Sequence, residues 1–283
     1  MTRIANTTMK EAMKVLKETS RTFFIPITYL PNELKEGVAT AYLAMRAIDE
    51  IEDDTELNSQ DKIHLLRTIE NLLKEYGNNS DTLERELTQL FQPYNDRLPH
   101  VTLALACWIH LTPDPVVDKV IEYTATMAGG MASWVEKEWV INNEADLDDY
   151  TYYVAGIVGL LLNELWDWFE DIKADEELAV SFGRGLQAVN MIRNRAEDIE
   201  RGIDFFPNGW EMNDMMNYAY SNLEKAENYL ASIPSGKIHA FCNIPLKLAV
   251  GTIEAIEQNK TKLSRTKVAY LVQKAVKESH FSS

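Results

Sequence analysis

Apolar residues recur at helical spacing along most of the chain. Residues three and four apart share one face of a helix, and no stretch alternates with the period of two that a half-buried strand needs. Residues 8–19 place Met9, Ala12, Met13 and Leu16 on one side. Pro31-Asn-Glu-Leu opens a second helix, because proline is tolerated in a first turn, and the pattern carries it to about residue 54. Between 60 and 76 the apolar set is Ile63, Leu65, Leu66, Ile69, Leu72 and Leu73. Asn78-Asn-Ser-Asp reads as a turn, and Thr112-Pro-Asp-Pro interrupts the chain ahead of a helix from about 116 to 138. Helices follow at about 146–171, 178–201, 211–232, 237–258 and 263–278. Glycine (12) and proline (9) are sparse, and most prolines fall between periodic segments. No linker or solenoid repeat breaks the pattern. It predicts an all-α fold, one domain over residues 1–283, with helices around a central cavity.

Two polar motifs interrupt this apolar order about half the chain apart. The first is Arg46-Ala-Ile-Asp49-Glu-Ile-Glu-Asp53-Asp54. The second is Gln187-Ala-Val-Asn190-Met-Ile-Arg193-Asn194-Arg-Ala-Glu197-Asp198. Spacing of four puts Asp49 with Asp53, and Asn190 with Asn194 and Asp198, on single helical faces. Mid-helix asparagine is mildly unfavourable, so two on one stripe point to a polar site. Two such faces turned toward each other form a cage of oxygens. That suits Mg²⁺, which takes few protein carboxylates and fills its shell with water and phosphate oxygens. The expected substrate is therefore a diphosphate. Arg46, three residues before Asp49, is placed to grip a phosphate oxygen or orient an aspartate.

Composition narrows the partners. The formal net charge of −16 over 283 residues argues against nucleic acid, and against simple attraction to anionic lipid. Cys107 and Cys242 form no CxxC pair, which suits a reducing cytoplasm rather than a disulfide framework. The five histidines (His64, His100, His110, His239, His280) share no ligand spacing. The polar, amphipathic start is not a signal peptide, and no apolar run of about 18 residues spans a membrane. The expected location is cytoplasmic, with peripheral membrane contact left open for release of an apolar product.

What the diphosphate carries is suggested by Tyr150-Thr-Tyr152-Tyr-Val-Ala-Gly156-Ile-Val-Gly159-Leu-Leu-Leu, an apolar helical segment holding two glycines. Glycine costs about 1 kcal/mol inside a helix, so it needs a reason. Close helix packing is one; a cavity wall with room for an isoprenoid tail is the other. On the second reading Phe23, Phe24, Val154, Val158 and Leu162 line the cavity. Ser20-Arg21-Thr22 offers hydroxyls and a cation for phosphate.

Taken in order, Thr19-Ser-Arg-Thr-Phe23, Tyr42-Leu-Ala-Met-Arg-Ala-Ile-Asp-Glu-Ile-Glu-Asp-Asp54, Gly130-Met-Ala132, Tyr152-Tyr-Val-Ala-Gly-Ile-Val-Gly159 and Asn190-Met-Ile-Arg resemble the squalene/phytoene synthase family. Phe241-Cys-Asn-Ile-Pro245 resembles a late segment of squalene synthases, and the likeness runs from about 9 to 275. The resemblance is to a squalene synthase catalytic domain without a C-terminal membrane anchor. It implies an isoprenoid-synthase-type helical fold, a Mg²⁺ cluster and C1-to-C1 joining of two prenyl diphosphates, farnesyl diphosphate favoured, with NADPH use left open. It also implies that Asp49, Asp53 and Asp198 hold metal, with Asn194 in the remaining ligand position. Ser20, Arg21, Thr22, Arg46, Gln187, Asn190 and Arg193 would line the diphosphate region, and Tyr42 and Tyr152 would face the reacting centre.

One position departs from the family pattern. Its second motif is usually Arg-Asp-x-x-x-Asp, and this chain has Arg193-Asn194-Arg-Ala-Glu-Asp198. An amide carbonyl can still offer oxygen to Mg²⁺ but brings no charge. A site that ionises one prenyl diphosphate without holding the second would release farnesol or a cyclised terpene. A prenyl-lipid binder without activity is the reading from a different class.

Overall fold

The computed structural model describes residues 7–260 and 262–280, with the side chains of Arg21 and His280 outside that description. Every regular element among the described residues is helical, as the periodicity requires. The chain forms two compact units. One combines the chain up to Phe24 with Asn32–Glu138; the other combines Ile25–Pro31 with Trp139 onward.

The first unit is assembled on a single long helix. Its elements are α1 (Met9–Thr19), the start of α2 (Arg21–Tyr29), α3 (Asn32–Asp53), α4 (Ser59–Tyr76), α5 (Ser80–Phe91), the short α6 (His100–Leu103) and α7 (Leu105–Leu111), and α8 (Asp114–Glu136). Helix α3 packs against α1, α4, α6, α7 and α8. It reads almost continuously apolar from Leu34 to Ile51 and buries most of that length. Only one edge is left for polar side chains. The buried hydroxyl of Thr102 donates to the Ala47 carbonyl at 3.0 Å, tying α6 to α3 without an orphaned polar group.

Caps explain where the helices begin. Thr8 and Glu11 form a reciprocal capping box at α1. The side chains of Asn58, Asn79, Asn143 and Asp175 each accept a first-turn N–H, at α4, α5, α9 (Glu144–Thr151) and α11 (Glu176–Glu200). The turn expected at Asn78–Asp81 is therefore the cap of a helix that the periodicity did not reveal.

The second unit is built around α11. Against it lie α9, a π-helical turn Tyr152–Gly156, α10 (Ile157–Glu170), α12 (Met212–Ser232) and α13 (Lys237–Glu257), and α14 (Arg265–His280) packs on α13. The helix expected over 146–171 thus exists but is broken in register by the π turn. The glycines have a packing reason. A Cβ on Gly159 would stand 2.1 Å from the Ala179 carbonyl oxygen of α11, and one on Gly183 would stand 2.2 Å from the Ala155 oxygen. One on Gly156 would meet Val180 Cγ1 at 3.0 Å. The space left by these missing side chains is filled by the facing helix, α11 for Gly156 and Gly159 and the π turn for Gly183, not by a cavity.

Gly159→Ala gives a sharp test. Alanine normally stabilises a helix interior by about 1 kcal/mol over glycine. Here it should lower the unfolding free energy by roughly 1–3 kcal/mol through overpacking, measured by urea denaturation. A gain in stability would mean that α10 and α11 are not in backbone contact.

Candidate active site

In the first unit the half-buried edge of α3 carries Tyr42, Arg46, Asp49 and Asp53, at successive spacings of four, three and four. Such a run stays on one helical face. Its chemistry is graded along the axis: an aromatic hydroxyl, a guanidinium, then two carboxylates. Phe23 closes over Tyr42, ring centroids 5.9 Å apart. Ser20 caps the start of α2 by accepting the Phe23 N–H at 3.1 Å. It also hydrogen-bonds the Tyr42 phenol, whose pKa is nevertheless raised, chiefly by burial. The structure therefore brings together Ser20, Phe23, Tyr42, Arg46, Asp49 and Asp53. Thr22 stands exposed, and the Arg21 side chain lies outside the described residues.

Arg46 holds two acids at once. It pairs with Asp49, and it reaches Glu50 through Nε at 2.8 Å and a terminal nitrogen at 2.6 Å. Those acids raise the guanidinium pKa against its burial, so it is charged at any working pH. Asp49 is less comfortable. Burial first, then the Asp53 carboxylate, push its carboxyl up to about 7, although Arg46 pulls the other way. Two carboxylates sharing a half-buried face resist double ionisation.

That donor set fits a hard divalent cation that shares its shell with water and phosphate. No group of three His, Cys, Asp or Glu residues able to hold a metal occurs among the described residues.

In the second unit Gln187, Asn190, Asn194 and Asp198 form a half-buried stripe on α11. Arg193 lies beside it, exposed, with its Nε donating to Asn194 Oδ1 at 3.0 Å. The one oxygen that Asn194 can offer a metal is thus engaged by a cation. Asp198 is 13% exposed, with a guanidinium nitrogen of Arg201 at 3.6 Å. Arg195 is turned away, paired to Asp204 at 2.8 Å and stacked on Phe206.

Val154, Val158 and Leu162 are half-buried, unlike Ile157 and Leu161, which are core. The π turn presents two phenols, Tyr152 and Tyr153, edge to face at 5.2 Å. Tyr152 lies along Gly156, and Tyr153, half-buried like Tyr152, stands beside it. Its adjacency to Tyr152 was visible in the sequence, but the extra residue of a π turn was not. Such turns occur frequently at functional sites.

The squalene/phytoene synthase model matches residues 16–210, a stretch that contains both polar stripes and the π turn. The chain belongs to the squalene/phytoene synthase family. It is 30% identical to the squalene synthase of Solanum lycopersicum, over 87% of this chain and 64% of that protein. Identity to the squalene synthase of Dictyostelium discoideum is 29%, with the same coverage. For the Homo sapiens squalene synthase it is 27%, over 90% of this chain and 65% of that protein. The chain thus spans less than two thirds of the length of these relatives. Among solved structures, TcSQS in complex with a ligand superposes with a TM-score of 0.77 at 23% identity, covering 96% of this chain and 88% of that one. A dehydrosqualene synthase in complex with ligand gives 0.57 at 20%, covering 95% of each chain. Both likenesses are in fold, and they agree with the all-helical architecture expected of the family.

The Asp49 carboxyl carries a pH signature. In the unfolded chain it titrates near 3.8 and in the folded protein near 7, so the folded state binds this proton more tightly. Its contribution to stability is full below about pH 4 and is lost as pH rises through 7. Without divalent cations, the urea midpoint should fall between about pH 4 and 7, and Asp49→Asn should flatten that fall. An unchanged slope in Asp49→Asn would remove Asp49 as its source.

Proposed function

We propose that this chain is a Mg²⁺-dependent enzyme that ionises farnesyl diphosphate and joins two such molecules head to head, C1 to C1. The observation that carries this is the assembled edge of α3, Tyr42–Arg46–Asp49–Asp53 with Ser20 and Phe23, in a chain of the squalene/phytoene synthase family. Residues 1–283 are read as one synthase domain to which both compact units contribute.

Asp49, Asp53 and Asp198 would hold the metal. When bound, Mg²⁺ supplies charge neutralisation for the departing diphosphate. Arg46, Arg193 and the Ser20 and Thr22 hydroxyls would bind diphosphate oxygens, Arg21 with them, while Gln187 and Asn190 orient them through their amides. As the C1–O bond breaks, its electron pair leaves with the diphosphate. The resulting allylic cation is met by the double bond of the second substrate, and the tertiary cation so formed closes by losing a proton, which the departed diphosphate can accept. Val154, Val158, Leu162 and Phe23 would keep water from that cation. Tyr152 or Tyr153, with Tyr42, would face the reacting carbons, where an aromatic face favours positive charge. No described helix is long and apolar enough to cross a membrane. The cytoplasmic reading rests on the two free cysteines, with peripheral membrane contact left open for release of an apolar product.

One observation favours a second reading. With Asn194 neutral and bonded to Arg193, the second stripe offers metal a single carboxylate. If that grip is too weak to hold two diphosphates in register, water captures the cation of one and farnesol is released.

Products separate the readings. The purified protein with farnesyl diphosphate and Mg²⁺, with and without NADPH, should give a C30 product by mass spectrometry. Asp49→Ala should cut Mg²⁺-dependent diphosphate release by about 100-fold or more, in the range of lost charge stabilisation. Farnesol as main product would establish the hydrolase, and Asn194→Asp should then shift products toward C30. Absence of diphosphate release under all conditions would overturn both readings.

A further inference from the structure

Helix α3 ends at Asp53, the second carboxylate of the acidic motif. A helix end is normally its weakest turn, because its last carbonyls lack partners and fray. Asp53 is exposed and stands in that turn. Unless the turn is fixed by something outside α3, its spacing from Asp49 is not.

The structure fixes it with a buried lysine. Lys62, in the first turn of α4, is only 7% exposed. Lysine is almost never buried unless its ammonium is met. Here Nζ donates to the main-chain carbonyl of Glu52, ten residues back and adjacent to Asp53. Glu52 is itself 5% exposed. A cation on a terminal carbonyl also meets the negative end of the α3 dipole. The link between the helices is equally tied. Asp54 Oδ1 accepts the N–H groups of Glu56 and Leu57, both at 2.7 Å. Asn58 caps α4 through the Asp61 N–H at 2.9 Å, and Asp61 in turn accepts the Tyr94 hydroxyl at 2.9 Å.

We propose that Lys62 is a positioning residue for the acidic motif: its ammonium clamps the last turn of α3 so that Asp53 stays in register with Asp49 before metal arrives. This rests on the reading that these aspartates hold Mg²⁺. Lys62 touches neither substrate nor metal. It fixes the carbonyl beside one ligand and places a positive charge at the end of the helix on which the two carboxylates repel. Partners of metal ligands commonly set affinity by about 10- to 100-fold.

The test is Mg²⁺ affinity, read without turnover. Full-length wild type and Lys62→Met are titrated with Mg²⁺ at fixed inorganic pyrophosphate, by calorimetry and by the rise in melting temperature. Lys62→Met should bind Mg²⁺ about 10-fold more weakly. At saturating Mg²⁺ its KM for farnesyl diphosphate should stay within about twofold, as expected when pre-organisation alone is lost. A purely structural role would lower the melting temperature equally with and without Mg²⁺ and leave the titration midpoint in place; that overturns the proposal. Asp49→Asn is the control. If it too leaves the Mg²⁺ titration unaltered, the metal reading of the motif has failed, whatever Lys62 does. Should Lys62→Met not fold, hydrogen exchange on the metal-free wild type decides. Amides at 51–57 should be protected like the middle of α3, and rapid exchange there would refute a pre-set motif.

Discussion

Two carboxylates one helical turn apart, on the only unburied edge of α3, are the constraint that organises the first unit. Their repulsion opposes folding, and burial sharpens it. Three responses are built around them. Arg46 pairs with Asp49 and is itself held by Glu50. Lys62 brings a buried cation to the end of the same helix. Burial, and after it the Asp53 carboxylate, still pushes the Asp49 carboxyl up to about 7. A divalent cation would relieve that residue of strain, so the metal-free protein carries an electrostatic cost that a bound cation removes.

The second stripe is built with a different balance. Three of its four side chains, Gln187, Asn190 and Asn194, are neutral amides, and Arg193 occupies the oxygen of Asn194. The proposed chemistry therefore rests unequally on the two motifs: two carboxylates on α3, and on α11 amides, a guanidinium and the one carboxylate of Asp198. Around the second stripe the packing is unforgiving. Gly159 and Gly183 let backbones meet at distances no side chain allows, so α11 cannot shift against the π turn without losing those contacts. Rigid placement of this kind lets a few amides specify geometry.

Much of this was legible before the structure. Apolar phase alone located α1, α3, α4, α8 and α11 to α14 closely, because each buries one continuous stripe. Helix α2 was missed: Pro26 lies inside it, and Thr22-Phe-Phe-Ile-Pro-Ile offers little polar contrast to set a phase. Helix α5 was hidden behind its own cap, since Asn79 signals a turn and a helix start with the same side chain. The π turn could not be read, because the segment from Tyr152 to Leu162 is apolar on every face and so hides the phase shift that an extra residue makes. For Gly156 and Gly159 the packing explanation holds, and for a reason that needs the partner: Val180 and Ala179 are twenty or more residues away in sequence. The polar stripes were readable as faces from spacing alone, but the Arg193–Asn194 bond and the clamp at Lys62 depend on rotamers and on a second helix. Neither could be inferred from helical spacing.

Whether the two stripes serve one reaction is decided by a double-mutant cycle on Asp49→Asn and Asp198→Asn. Mg²⁺-dependent diphosphate release from farnesyl diphosphate is measured in the wild type, both single variants and the double variant. Groups that act as a unit are strongly non-additive. The double variant should therefore be no slower than the worse single one, within about threefold. Effects that multiply, with each substitution costing its full factor in the presence of the other, would show that the aspartates of α3 and α11 act independently. That result would contradict a single diphosphate site.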